Sequence, residues 1–113
     1  MSDCIFCKIA AGGIPSKKAY EDERVLAFYD LEPQAPVHVL IIPKEHIASV
    51  AEITEENSGI AAHIFEVAAR LAKELGLEGG FRLVANTGAD GGQTVQHLHV
   101  HLLGGRSMKW PPG

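Results

Sequence analysis

The chain is short of most features that announce a specialised class. Nowhere in its 113 residues is there a run of about 18 apolar residues, so no membrane-spanning helix is expected. It lacks a basic excess: ten Lys and Arg stand against fourteen Asp and Glu, a formal net charge of −4, which excludes a broad nucleic-acid-binding surface. Aromatic residues are sparse at 6%. Two cysteines, Cys4 and Cys7, are too few for a disulfide scaffold, and their C-x-x-C spacing points to metal or redox chemistry. The opening residues Met1-Ser2-Asp3-Cys4 carry no basic n-region and no long apolar stretch, so a secretory leader is not expected and a reducing, cytoplasmic setting is. Low-complexity runs, linkers and internal repeats are absent as well. One domain spanning residues 1–113 accounts for this length.

Against these absences stand six histidines, three of them within five residues. The coarse pattern predicts a short helix over Ile5 to Ala11, stopped by Gly12-Gly13 and Pro15. Strands are expected at Lys18 to Tyr20, Val25 to Tyr29 and Val37 to Ile42, the last apolar throughout and therefore buried on both faces. A long helix is expected to start at Thr54 as N-cap, with Glu55 and Glu56 in its first turn, and to stop at Gly76. Ile60, Ile64, Val67, Ala68, Leu71 and Leu75 recur at helical spacing and form its sheet-facing stripe. Phe65 and Ala69 lie off that stripe, as a second apolar face or as lone surface residues. Strands from Phe81 to Asn86 and from Val95 to Leu103 complete the set. Hairpin-length connections make the sheet antiparallel and the class α+β.

The segment His97-Leu98-His99-Val100-His101-Leu102 alternates with period two, which on a strand puts three imidazoles on one face, about 6.6 Å apart in succession. Three explanations compete: a solvated polar face, a His₃ metal site, or acid–base and nucleophilic catalysis by imidazole. A linear row is a poor tetrahedral cap, whereas an imidazole titrating near neutrality suits catalysis. Upstream, Gly88 to Gln93 and the hydroxyl of Thr94 form a Gly-rich loop of the kind that can turn backbone N–H groups towards an anion. Together they suggest phosphate bound beside an imidazole nucleophile.

The run His97-Leu98-His99-Val100-His101-Leu102-Leu103 resembles the His-φ-His-φ-His-φ-φ signature of the histidine triad (HIT) superfamily of nucleotide hydrolases and transferases. The resemblance extends through Asp30-Leu31-x-Pro33-Gln34-Ala35-Pro36-x-His38 and Ile42-Pro43-Lys44-x-His46. It continues into the tail Leu103-Gly104-Gly105-Arg106-x-Met108-x-Trp110-Pro111-Pro112-Gly113, which is similar to the C-terminus of the Hint branch, the histidine triad nucleotide-binding proteins. It implies the HIT-like fold: about five antiparallel strands, one long helix and a short N-terminal helix. It also implies hydrolysis of purine nucleoside 5′-phosphoramidates through a nucleotidyl-histidine on His99. A nucleotide-binding scaffold with little catalysis, a dinucleoside polyphosphate hydrolase and a catalytic metalloenzyme are the alternatives.

By the same resemblance, His101 holds phosphate oxygens and orients His99, partly through its own backbone carbonyl, and His38 supports the triad from beside it. Asn86, Gly92, Gln93 and Thr94 lie on the phosphate side. Thr94, where Hint proteins often have Ser, and the neighbouring histidines are candidates for the general acid. Asp30 receives the ribose hydroxyls, and Phe6, Ile14, Phe28, Leu31 and Leu40 form the base pocket. Some bacterial members bind zinc through residues matching Cys4, Cys7, His46 and His97. Such a closed set would make Zn2+ structural, with no metal required for the chemistry. The expected partners are a purine nucleotide or nucleoside phosphoramidate and a second copy of the chain in a homodimer, contacted by the tail 104–113. Neither nucleic acid nor a membrane is expected. His63 matches no motif and is read as a surface or interface residue.

Overall fold

The computed structural model describes residues 3–113, so the leader expectation rests partly on Met1 and Ser2, which lie outside the described residues. In chain order the elements are α1 (Ile5–Ala10), β1 (Lys18–Glu21), β2 (Val25–Tyr29), β3 (Val37–Pro43), a one-turn 3-10 helix (Val50–Glu52), α2 (Ser58–Glu74), β4 (Phe81–Val84) and β5 (Val100–Gly104). The strands make one antiparallel sheet in the order β1-β2-β3-β5-β4. This is the expected α+β architecture.

Strand periodicity sorts the central strands onto two faces. Val25 and Ala27 of β2, Val39 and Ile41 of β3, and Val100 and Leu102 of β5 face α2, where they meet Ile60, Ile64, Val67, Ala68 and Leu71. The intervening residues Leu26, Phe28, Leu40 and Ile42 pack under Phe6 and Ile9 of α1. Both sides of β3 are thus covered, as its unbroken apolar run predicts. The polar exceptions on the α1 side are His38 and His101, brought side by side by the β3–β5 ladder, in which Leu40 pairs with His101 and His38 with Leu103.

Three expected boundaries move by more than one residue. Helix α2 begins at Ser58, with Asn57 as its N-cap. Thr54 instead opens a preceding turn in which its N–H donates to Asn57 Oδ1, so Glu55 and Glu56 precede the helix. Strand β4 ends at Val84, which pairs with His101 one residue from the start of β5; Ala85 and Asn86 have no ladder partner beyond it. The largest correction concerns Val95 to Leu103. Only Val100 onwards is strand, because residues 95–98 satisfy their backbone elsewhere. The Leu98 N–H donates to the Ile47 carbonyl at 2.6 Å, and the Val95 carbonyl accepts from Gln93 Nε2 at 3.0 Å. The three histidines are therefore not one strand face.

Candidate active site

Because β5 begins only at Val100, the triad points in two directions. His97 is fully buried, and its Nε2–H donates to the Pro43 carbonyl at 2.8 Å. A carbonyl can only accept, so Nδ1 carries the lone pair. That atom lies 3.3 Å from Cys4 Sγ and 3.5 Å from Cys7 Sγ, and His46 Nδ1 lies 3.2 Å from Cys7 Sγ. All four ligand atoms fall within 4.8 Å of one another. A tetrahedral ion with metal–sulfur bonds of about 2.3 Å and metal–nitrogen bonds of about 2.0 Å has sulfur–nitrogen edges of about 3.5 Å. Cys4, Cys7, His46 and His97 thus have the donor set and the spacing to hold a metal ion. Burial and the Cys4 sulfur beside it push the Cys7 thiol up, a penalty that a bound cation reverses by favouring both thiolates. The cluster also explains the unusual course of residues 95–98, since it draws His97 towards the end of β3.

His99 and His101 turn the other way. The Nδ1–H of His99 donates to the backbone carbonyl of His97 at 2.7 Å. Neutral His99 is thereby fixed as the tautomer whose Nε2 carries a free lone pair. The carbonyl that orients His99 belongs to His97 and not, as expected from the resemblance, to His101. A second tautomer chain runs through His38. The Gln34 N–H donates to His38 Nδ1 at 3.0 Å, which leaves the His38 proton on Nε2, 2.9 Å from His101 Nδ1. His101 therefore accepts at Nδ1 and holds its own proton on Nε2, where it acts as a donor. Burial pushes both rings towards the neutral form. His101 falls to about 4, through burial and then the neighbouring His99 and His38; His38 also falls, with Asp30 partly opposing. With these tautomers the site presents one imidazole lone pair, on neutral His99, beside one imidazole N–H, on His101.

Both rings line a cavity of about 330 Å³ on the α1 side of the sheet. Phe6, Ile14, Phe28, Leu31 and Leu40 all contribute to its wall, as do Asp30 and Thr94. Phe6 sits edge-on to His99, with ring centroids 5.1 Å apart, and edge-on to Phe28 at 5.6 Å. Leu31 is 97% exposed at the mouth. Asp30 has two attachments: Oδ1 accepts from the Glu32 N–H at 2.8 Å in an ordinary Asx turn, while Oδ2 stands 3.5 Å from His38 Nε2.

Asn86, Gly92 and Gln93 lie outside this cavity's lining. Gln93 is spent within the protein. Its Nε2 donates to the carbonyls of Ala48 and Val95, and its Oε1 accepts from the Gly88 N–H. The N–H groups of Gly92 and Gln93 are likewise bonded inside the loop, to the carbonyls of Ala89 and Gly88. Gly91 is required there, because a Cβ would run into the Thr87 backbone. Of the segment from Gly88 to Val95, Thr94 and Val95 reach the cavity.

Sequence reasoning missed Ile9, Tyr29 and Val95 in the cavity wall and the Pro43 carbonyl behind His97. Ile9, three residues after Phe6 on a helix, carried a periodicity signal; a backbone carbonyl carries none. His63 is not part of the cavity lining. Its Nε2 is 2.6 Å from Asp22 Oδ2, tying α2 to the β1–β2 turn.

The HIT domain family model matches residues 11–108. A 14 kDa zinc-binding protein from Zea mays is 52% identical over 114 residues, covering 99% of this chain and 89% of its own. The crystal structure of a HIT family hydrolase from Legionella pneumophila superposes with a TM-score of 0.96 at 53% identity, covering 98% of this chain and 100% of that one. A more distant structure, a histidine triad nucleotide-binding protein from Candida albicans, superposes at 0.82 with 36% identity over 96% of this chain and 83% of its own. The chain belongs to the HIT domain family.

Proposed function

We propose that the chain hydrolyses purine nucleoside 5′-phosphoramidates, with His99 as the nucleophile. The observation that carries this reading is the opposed pair of tautomers at the cavity wall: a lone pair on His99 Nε2 and a proton on His101 Nε2. The base would lie between Phe6, Phe28 and Leu40, and the ribose hydroxyls would donate to Asp30, whose neighbouring wall is otherwise largely apolar. In the first step the His99 Nε2 lone pair forms a bond to the α-phosphorus as the P–N bond breaks. The departing nitrogen takes a proton, since an amide anion is too poor a leaving group. Thr94 or the His101 N–H, both at the cavity wall, would supply that proton. Charge on the phosphoryl oxygens would be met by His101 Nε2–H and the Thr94–Val95 segment. In the second step water attacks the phosphorus and gives its proton to the group that protonated the amine, the P–Nε2 bond breaks, and the nucleoside monophosphate leaves. The names of the Legionella and Candida relatives, hydrolase and nucleotide-binding protein, support the same class.

The metal in this reading is zinc, as the maize relative's name supports, held by Cys4, Cys7, His46 and His97. Four protein ligands close the coordination sphere, so the ion would brace the fold without touching substrate. The active species would be a cytoplasmic homodimer built on α2 and the edge strand β4. In support, Phe65 is 61% exposed on α2, and a cavity of about 240 Å³ lined by Ala69, Ala72, Leu77 and Phe81, with Lys73 and Glu78 also in its lining, would accept an apolar side chain of the partner. Trp110, 81% exposed in the tail, would cover part of the second copy. Release of AMP from adenosine 5′-phosphoramidate is the test of the function. Turnover by the native chain and loss in His99→Ala are expected, and full activity in His99→Ala would overturn the proposal. Sedimentation showing only a 12 kDa monomer would overturn the dimer.

A further inference from the structure

The metal-ligand cluster and the nucleotide cavity share two structural members. The first is His97, whose ring points into the cluster through Nδ1 while its backbone carbonyl fixes the tautomer of His99. The second is α1. This helix has six residues, far too few to persist unaided. Its first turn is held by Cys4, which caps it by accepting the Cys7 N–H on its sulfur, and by Cys7, which faces His46 and His97. Between those two cysteines stands Phe6, which meets the rings of both His97 and His99 edge-on and forms the cavity wall with Phe28. One turn further on, Ile9 completes that wall.

We infer that zinc binding and nucleotide binding are linked: loading the Cys4–Cys7–His46–His97 cluster tightens the cavity for a nucleoside monophosphate, and the nucleotide tightens the cluster for zinc. The inference rests on the zinc and nucleotide readings above. Zinc binding draws together Cys4 and Cys7 at the start of α1, His46 after β3, and His97. That holds Phe6 against His99 and keeps the His97 carbonyl in line with His99 Nδ1. Without the ion, two neighbouring thiols and two imidazoles are left with weaker sulfur–nitrogen contacts in a cluster of which only His97 is buried, and α1 loses a tether beyond the packing of Phe6 and Ile9. A nucleotide seated on Phe6 then has to order α1 at its own cost. Because both ligands favour the same ordered helix, each raises the affinity of the other by the same factor.

The test uses the full-length chain and two probes, zinc and AMP. AMP affinity is measured by calorimetry on zinc-loaded and zinc-free protein, and zinc affinity by competition with a chromophoric chelator, with and without saturating AMP. A coupling of about tenfold is expected in both directions, inside the range usual for linked sites. In Phe6→Leu the cluster keeps every ligand, so zinc affinity without AMP stays near the native value while the AMP-induced tightening falls below about threefold. Zinc affinity unchanged by AMP in the native chain overturns the linkage and leaves both sites standing. Failure to take up zinc at all removes the zinc reading, and failure of AMP to bind in either state removes the nucleotide reading; the linkage falls in both cases, by a distinguishable route.

Discussion

The two faces of the sheet are built by the same alternation and do opposite work. Towards α2 the central strands present Val25, Ala27, Val39, Ile41, Val100 and Leu102, a wholly aliphatic layer met by a 17-residue helix. Towards α1 the same strands present Leu26, Phe28, Leu40 and Ile42, but also His38 and His101, and the covering helix is only six residues long. A long amphipathic helix closes one side completely. A short one leaves a cavity, and the buried imidazoles border it. The proposed chemistry belongs to the second face alone, so substitutions on the two faces should separate activity from stability.

The largest separation is expected at His99. His99→Ala lowers turnover of adenosine 5′-phosphoramidate by at least about 10³-fold, as for loss of a nucleophile, with a melting temperature close to native. Steady-state kinetics beside a thermal melt checks both halves. Ile64→Ala, on the opposite face, is the mirror case: a buried aliphatic side chain is cut back, and urea unfolding should show a loss of about 2–5 kcal/mol. Activity per folded molecule should stay native, and a kcat that fell with stability would break the comparison.

The α1 face also carries a pH-dependent cost. His101 is neutral in the folded chain down to about pH 4, whereas in the unfolded chain it takes up a proton near its ordinary 6.5. Between those values the unfolded state binds the extra proton, so stability falls as pH drops from 6.5 towards 4, by about 3 kcal/mol for this group. In His101→Gln, denaturant titrations across that window should give a flatter profile; an unchanged slope would assign the dependence elsewhere. The smallest effect is expected at Gln93. Its three hydrogen bonds anchor the loop before Thr94, and Gln93→Ala should reduce kcat/KM about fivefold with little change in melting temperature.

The two faces were also unequally legible in the sequence. The stripe from Ile60 to Leu71 follows from helical periodicity and strands β2 and β3 from short apolar runs, because burial against one regular partner or two leaves a regular pattern. The triad shows where that logic stops. Alternation is necessary for three imidazoles on one strand face but does not ensure it. Here side chains and loop carbonyls compete with the ladder for residues 95–98, and His97 goes to the cysteines instead. The site residues were recognisable through the resemblance, yet their division of labour was not. Which carbonyl holds His99, and whether Gln93 faces an anion or its own loop, depend on backbone positions distant in sequence: Ala48 lies 45 residues from Gln93, and Pro43 lies 54 from His97.

The central claim, a free lone pair on His99 Nε2 acting as nucleophile, is tested most directly by trapping the first intermediate. The native chain is mixed with excess adenosine 5′-phosphoramidate, quenched within the first turnover in alkaline denaturant, and measured by intact mass and peptide mapping. A single added adenylyl group on the peptide containing His99, and its disappearance in His99→Ala, is the predicted result. Steady AMP release with no adduct under these conditions, or an adduct on another residue, would contradict it.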